Sequence, residues 1–266
     1  MKKWVWRYFL VMILSAWVTF TLLMIQSGTA ITTTASEAAA NVPLYQAPPP
    51  TTLRLSGAKS DLVVPSFHRL NAGNLWSYVS KQRSIDPDFT PPLTDELASS
   101  FGTWVKDKRL QPRIVPDTKA LLAAAASANH PLLITSAYRS GADQTKLISE
   151  LAKLNGKTYA NDFVAKPGQS EHQLGLAIDV TSRSDACRTS FDNCKLSDAA
   201  ATWLAANAHT YGFILRYPPG KEAITGVPHE SWHFRYVGKD LAKVLHNSGL
   251  TLDEAYQQLS LARARK

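Results

Sequence analysis

The stretch SEHQLGLAID, residues 170–179, carries an imidazole, His172, and a carboxylate, Asp179, seven positions apart. Its second half continues into the apolar run GLAIDV, which is typical of a short strand, and alternate side chains of a strand face opposite sides. The large apolar side chains then face a core, while Asp179 points into a space that Gly175 and Ala177 leave open. A carboxylate flanked by apolar residues needs a partner, and a cation is the natural one.

A second stretch, ESWHFRYVG at residues 230–238, adds a carboxylate and another imidazole. Two histidines and one aspartate form the protein ligand set of a catalytic zinc site, which leaves the fourth position for water. We therefore predict that Zn²⁺ binds at His172, Asp179 and His233. Glu230 is then the predicted catalytic base. Residues three apart in a regular strand face opposite sides, so the chain must turn or bulge near Glu230.

The rest of the chain mixes helical and strand patterns irregularly. The segments NLWSYVSK and PLLITSAYRS are typical of strands, whereas TKALLAAAASANH and DQTKLISELAKLN have helical spacing. A further helix is expected to begin at Ser197 as its N-cap and to end at Gly212. We expect Trp232, Phe234 and Tyr236 to pack in the core. These patterns favour an α+β fold, in which helices flank a small antiparallel sheet in a single catalytic domain.

The N-terminal residues, 1–30, differ from the rest of the chain. Three basic residues precede an uncharged apolar run from Tyr8 to Ile25. This run is near the shortest length that spans a bilayer and is longer than the core of a typical signal peptide. We predict an uncleaved membrane anchor, with cleavage after Ala30 as the alternative. Either reading places the remainder outside the cytoplasm, on the cell membrane or secreted.

Residues 31–66 are rich in Pro, Thr and Ala and predict a semi-extended linker, followed by the catalytic domain over residues 67–262. Cys187 and Cys194 are the only cysteines in the chain. An exported location would allow them to pair, and no further cysteine exists to complete a thiolate zinc site. We therefore favour a disulfide between them.

The formal net charge of +8 suits an anionic partner. The basic residues are not interleaved with aromatic ones as they would be on a nucleic-acid-binding surface, so no nucleic acid partner is predicted. An anionic cell wall or membrane surface accounts for the charge.

The motifs together resemble those of the VanY-like D-alanyl-D-alanine carboxypeptidases, zinc peptidases related to lysostaphin and the hedgehog domain. That family's SxHxxGxAxD matches SEHQLGLAID, its ExWHFRYVG matches ESWHFRYVG, and its YRSxxxQ matches residues 138–144. The resemblance implies a hedgehog or D,D-peptidase-like fold. It also implies that Arg139 polarises the scissile carbonyl or holds a substrate oxygen, and that Gln144 and Ser170 bind substrate. Ser231 departs from the proline that many members have there.

The activity that the resemblance implies is removal of the terminal D-alanine from peptidoglycan stem peptides or their precursors. An L,D-carboxypeptidase that acts on the tetrapeptide stem and an L-alanyl-D-glutamate endopeptidase are the alternatives within the family. A non-catalytic module that binds wall peptides, and a purely structural membrane-tethered protein, are alternatives of other classes. Loss of a ligand or of the glutamate would be typical of a binding module, and this chain retains all of them.

Overall fold

The computed structural model describes residues 51–64, 74–158, 160, 164–184, 187 and 194–264. These residues all fall within one compact unit. The predicted membrane segment and residues 31–50 of the predicted linker lie outside them. Across the described ranges, no helix combines the length and the apolar character needed to cross a membrane.

Short strands and helices alternate along the chain. The strands are β1 (Thr51–Leu53), β2 (Leu62–Val64), β3 (Leu132–Ser136), β4 (Ala177–Ser182), β5 (Phe213–Leu215) and β6 (His233–Tyr236). The α-helices are α1 (Val115–Ser127), α2 (Gly141–Asn155), α3 (Asp198–Asn207), α4 (Glu222–Thr225), α5 (Lys239–Ser248) and α6 (Leu252–Ala264). Short 3₁₀ helices include Glu171–Leu174, directly before β4, and Ala208–Tyr211, directly before β5.

The central sheet has the strand order β3-β4-β6-β5, and every neighbouring pair is antiparallel. Strands β4 and β6 therefore lie side by side in the middle, although more than 50 residues separate Asp179 from His233 in the sequence. A register irregularity in β3 between Ile134 and Ser136 brings Ser136 opposite Asp179. The observed mixture of helices with a small antiparallel sheet confirms the predicted fold class.

The main hydrophobic core lies between the sheet and the helices α1 and α3. Its largest members are fully buried and come from distant parts of the chain: Leu110, Ile114, Leu121, Ile134, Leu174, Leu176, Phe213 and Phe234. Phe234 and Tyr236 belong to this core, as expected. This packing supports the sheet whose strands β4 and β6 carry two of the predicted site residues, Asp179 and His233.

A second core packs the hairpin β1–β2 against α5 and α6. Leu55 and Leu62 are each only 1% exposed. This hairpin lies inside residues 31–66, so the folded unit begins earlier than the linker prediction placed it. Pro- and Thr-rich composition does not reveal the two buried leucines, because their partners are the last helices of the chain.

Several local predictions agree with the structure. The Ser197 hydroxyl accepts the backbone N–H of Ala200 at 3.2 Å as the N-cap of α3, and Gly212 ends the following 3₁₀ turn with φ +82°. Cys187 and Cys194 form the favoured disulfide. The segment NLWSYVSK is not a strand, however. Its Trp76 indole instead donates to the carbonyl of Val237 at 2.9 Å, a tertiary contact that local alternation does not predict.

Candidate metal centre and active site

The sheet register brings the predicted zinc ligands together. Asp179 of β4 and His233 of β6 are cross-strand partners, a position in which facing side chains come into contact. His172 comes from the 3₁₀ turn that leads into β4. One donor atom from each residue lies within 4.8 Å of the other two.

Gly175 has a different role from the one expected. It caps the 3₁₀ turn in the left-handed region at φ +64°, and its N–H donates to the carbonyl of His172 at 3.0 Å. A Cβ here would come within 3.2 Å of the side chains of Gln111 and Leu93. The prediction that Gly175 keeps a space open beside Asp179 is wrong, because β4 begins only at Ala177. Glycine is needed for the turn that aims His172.

The hydrogen bonds of each imidazole indicate which nitrogen faces the metal position. His172 donates its Nδ1–H to the carbonyl of Ala137 at 2.6 Å, which leaves Nε2 at 3.2 Å from Oδ2 of Asp179. His233 is oriented the other way: its Nδ1 lies 2.9 Å from Oδ1 of Asp179, and its Nε2 lies 3.4 Å from Oε2 of Glu171. A tetrahedral zinc ion with bonds of about 2.0–2.1 Å separates its ligand atoms by about 3.3 Å, close to these spacings.

The electrostatics of the cluster fit a cation. The bond from Nδ1–H to Ala137 leaves Nε2 of His172 facing the carboxylate, and burial lowers the pKa of His172 despite the opposing effect of Asp179, which favours the neutral imidazole. Burial alone raises the pKa of Asp179, but His172 and His233 outweigh it and hold the pKa well below its usual range. Two electron-pair donors that point at each other in a buried site require a positive charge between them. The donor set of two imidazoles and one carboxylate is one that zinc favours.

The protonation of His233 leads to a prediction about pH. Burial alone lowers the pKa of His233, but the hydrogen bonds to Asp179 and Glu171 outweigh it and raise the pKa to about 9. Zinc binds the neutral imidazole, so binding below this pKa releases a proton. We expect zinc affinity to rise about tenfold per pH unit toward the pKa and to level off above it.

Isothermal titration calorimetry with zinc, in buffers of different ionisation enthalpy, would count the released proton. A small chelator of known protonation, titrated in the same buffers, is the control. Zinc binding that is independent of pH below 8 would contradict the assignment.

Glu230 lies beside the metal position, and the chain turns there as predicted. The backbone N–H of His233 donates to the carbonyl of Glu230 at 3.3 Å, which closes a turn immediately before β6. This turn brings Oε2 of Glu230 to 4.0 Å from Nδ1 of His233. Burial raises the pKa of Glu230, with His233 opposing the shift. A carboxylate whose pKa is raised accepts a proton more readily, which suits a base near neutral pH.

Arg139 is held beside the same site by two side chains. Its Nη2 donates to Oγ of Ser136 at 2.8 Å, and its Nη1 donates to Oε1 of Gln144 at 3.2 Å. The amide of Gln144 is fixed in turn, because its Nε2 donates to the carbonyl of Ala165 at 2.7 Å. The backbone N–H of Arg139 donates to the carbonyl of His172 at 3.2 Å, which ties the arginine to the metal-binding turn. Gln144 therefore orients Arg139.

A pocket opens over these groups. All seven predicted catalytic, substrate-binding and metal-binding residues line it: Arg139, Gln144, Ser170, His172, Asp179, Glu230 and His233. Its volume is about 160 Å³, which is small. Leu147 and Val164 add apolar surface. The structure thus brings every predicted site residue to one place.

The sequence patterns did not reveal every residue of the site. Trp232 lines the pocket and is 44% exposed, so the expectation that it packs in the core is wrong, because it lies in the turn before β6. Tyr217 also lines the pocket, with its ring centroid 5.1 Å from that of His233. Arg216 and Arg235 are buried against Glu171 beneath the centre. A charged residue inside the apolar segments FILRY and HFRY is the signal that could have identified these two arginines.

A known peptidase family shares this arrangement. The profile of the VanY family, described as D-alanyl-D-alanine carboxypeptidase, matches residues 107–239, which contain every predicted site residue. The chain belongs to the VanY family. The bifunctional D-Ala-D-Ala dipeptidase and D-Ala-D-Ala carboxypeptidase VanXYC of Enterococcus gallinarum is 37% identical over 154 residues, which are 58% of this chain and 80% of that protein.

Solved structures agree with this membership of the VanY family. The LD-carboxypeptidase LdcB aligns with a TM-score of 0.60 and 30% identity, over 78% of this chain and 94% of LdcB. The D,D-pentapeptidase VanY of a VanB-type resistance cassette, a mutant in complex with Zn(II), aligns with a TM-score of 0.56 and 32% identity, over 68% of this chain and 99% of that one. Together with the fit of the three ligands, these findings identify the chain as a zinc metallopeptidase.

Proposed function

We propose that this VanY-family chain removes the terminal D-alanine from peptidoglycan stem peptides or their precursors. One observation carries the proposal: the three zinc ligands, Glu230 and Arg139 all face a single small pocket. Two proteins similar to this chain support the proposal: VanXYC is named as a D-Ala-D-Ala carboxypeptidase, and VanY is named as a D,D-pentapeptidase.

The residues of the pocket divide the reaction between them. When bound, zinc supplies Lewis-acid activation of water and of the scissile carbonyl. Glu230 accepts a proton from the attacking water as the new C–O bond forms. It then returns that proton to the amine nitrogen as the C–N bond breaks. The products are free D-alanine and a peptide shortened by one residue.

Arg139 is suited to stabilise negative charge on the carbonyl oxygen. The guanidinium stays charged, and Ser136 and Gln144 hold its plane in place before substrate arrives. A donor that is already oriented does not have to reorganise during the reaction. Ser170 adds a hydroxyl that lines the pocket and has no hydrogen-bond partner among the described residues. We assign Ser170 to substrate binding and Gln144 to positioning Arg139.

A substitution of Arg139 can separate the effect of its positive charge from the effect of its planar hydrogen-bond geometry. Arg139→Lys keeps the positive charge but loses the planar, two-pronged donor, so we expect kcat/KM to fall about 10²-fold. Steady-state release of D-alanine measures the effect. Arg109→Lys is the matched control, since Arg109 is half exposed and pairs with Asp107. Equal activity in both variants would remove Arg139 from the mechanism.

The defining experiment is mass spectrometry of synthetic stem pentapeptide and tetrapeptide after incubation with the protein. It is run with zinc, and again with a chelator. We expect zinc-dependent loss of one alanine from the pentapeptide. Faster trimming of the tetrapeptide would favour the L,D alternative, which the alignment with LdcB also supports. If neither peptide is trimmed while zinc is bound, the substrate assignment is wrong.

We also propose that the N-terminal segment holds the catalytic domain on the outer side of the cell membrane. The basic residues that precede an uncharged run support this orientation. The disulfide between Cys187 and Cys194 supports an oxidising compartment. Membrane fractionation, with mass determination of the mature N-terminus, tests the proposal. A soluble product that begins at residue 31 would replace the anchor with a cleaved signal peptide.

A further inference from the structure

A buried carboxylate, Glu171, lies beneath the metal centre and takes no part in the reaction described above. Only 2% of its surface is exposed. Its Oε2 lies 3.4 Å from Nε2 of His233, the imidazole nitrogen that faces away from Asp179. Its other oxygen, Oε1, accepts hydrogen bonds from Nε of Arg216 at 2.8 Å and from Nη1 of Arg235 at 2.9 Å.

Both arginines are themselves fixed by groups outside the site. Arg216 also donates to the carboxylate of Asp253 on α6, through Nη1 at 2.5 Å and Nη2 at 3.3 Å. Arg235 donates to the backbone carbonyls of Leu75, Ser77 and Tyr236 at 2.7–3.0 Å. The two guanidinium groups are therefore held in place, and Oε1 is occupied by two donors. The Glu171 carboxylate cannot rotate away from His233 without breaking one of these bonds.

This arrangement determines the orientation of the His233 ring. An imidazole that binds a metal through one nitrogen carries its proton on the other nitrogen. A hydrogen-bond acceptor near that N–H determines which of the two nitrogens is protonated and which binds the metal. Asp179 and Glu171 lie on opposite sides of the ring, at Nδ1 and Nε2. His172 is oriented in the opposite sense, with the backbone carbonyl of Ala137 as acceptor at Nδ1. The acceptor is the Ala137 carbonyl for His172 and the Glu171 carboxylate for His233. The nitrogen that faces the metal position is therefore Nε2 in His172 and Nδ1 in His233.

We propose that Glu171, clamped by Arg216 and Arg235, is a positioning residue that holds the Nε2–H of His233 and presents Nδ1 to the metal. The inference rests on the proposed zinc centre, and it assigns a function to the residue directly before the first histidine ligand. The clamp consists of Glu171, Arg216 and Arg235. It acts on zinc affinity and on ligand geometry.

The test is zinc affinity of the full chain, measured by competition with a chromogenic chelator. Glu171→Gln keeps the size of the side chain but weakens the acceptor. We expect the zinc affinity to fall about 10- to 100-fold, because removing the hydrogen-bond acceptor of a metal-bound histidine typically has an effect of that size. The matched control is Glu254→Gln, which removes a carboxylate on the same helix, α6, that pairs with Lys221 and has no hydrogen bond to either arginine among the described residues. We expect the control to change zinc affinity less than twofold even where it lowers the melting temperature.

A second measurement does not depend on the variant folding. Nitrogen-15 chemical shifts of labelled histidine in the wild-type zinc complex report which nitrogen carries the proton. A proton on Nε2 of His233, with the metal on Nδ1, supports the proposal. A proton on Nδ1 overturns it, and so does an equal loss of zinc affinity in Glu171→Gln and Glu254→Gln.

The proposed clamp and the proposed peptidase activity can be refuted independently. If the wild-type chain trims no wall peptide but Glu171→Gln alone weakens zinc binding, the clamp stands and the substrate assignment fails. If the peptide is trimmed while Glu171→Gln binds zinc as tightly as the wild type, the clamp fails and the peptidase stands.

Discussion

Replacing Glu230 by glutamine should lower kcat/KM for D-alanine release about 10²- to 10⁴-fold while one zinc ion per chain remains bound. The glutamine side chain has the same shape but cannot accept a proton from water. Glu230 lies in the turn before β6 and is not among the three clustered zinc ligands, so its replacement leaves that donor set intact. The measurement is steady-state release of D-alanine, with metal content determined on the same sample.

Glu96→Gln is the matched control for this prediction. Glu96 is an exposed carboxylate that pairs with Lys119 on the surface. The control changes net charge by the same amount and should keep wild-type activity. If Glu230→Gln retains activity within threefold of the control, another group supplies the base and the proposed division of roles is wrong.

The position of Glu230 shows how far sequence reasoning reaches. The period-two rule by itself predicts that Glu230 and His233 face opposite sides, so a turn was required between them. The structure has that turn, closed by the backbone bond from His233 to Glu230. The sequence is sufficient to predict this turn, because the atoms that form it all lie within four consecutive residues.

Features that depend on distant contacts were not predictable in this way. Leu55 and Leu62 looked like linker because the helices that bury them lie near the other end of the chain. Nothing in the sequence pattern singles out Glu171, since its partners Arg216 and Arg235 follow 45 and 64 residues later. In each case the sequence shows the residue but not its neighbour.

Because Glu171 is buried, its ion pairs with Arg216 and Arg235 are expected to add little to the free energy of unfolding. Burial alone raises the pKa of Glu171, but Arg216 and Arg235 outweigh it and hold the pKa well below the ordinary range. A buried ion pair often adds little net stability, because the cost of removing the charges from water offsets their attraction. Retaining such a costly group directly behind a metal ligand is easier to explain by the geometry it imposes than by the stability it adds.

Replacing His172 by glutamine should remove both zinc and activity. His172 is one of the three proposed zinc ligands, and its Nε2 is oriented by the bond from Nδ1–H to Ala137. Loss of an acceptor behind a ligand costs about 10- to 100-fold in metal affinity, so loss of the ligand itself should cost more than about 100-fold. D-Alanine release should fall to the rate without protein. Metal analysis after dialysis, together with the peptide assay, measures both effects.

His130→Gln is the matched control for His172→Gln, because His130 lies outside the pocket, near Trp203, with a ring-centroid distance of 6.3 Å. This control should keep its zinc and its activity. If His172→Gln binds one zinc ion as tightly as the control does, the metal lies elsewhere and the centre has been misassigned. If it loses zinc but still trims the pentapeptide, the centre is real but the reaction does not need it. Only the joint loss of zinc and activity ties the chemistry to an ion bound by the proposed ligands His172, Asp179 and His233.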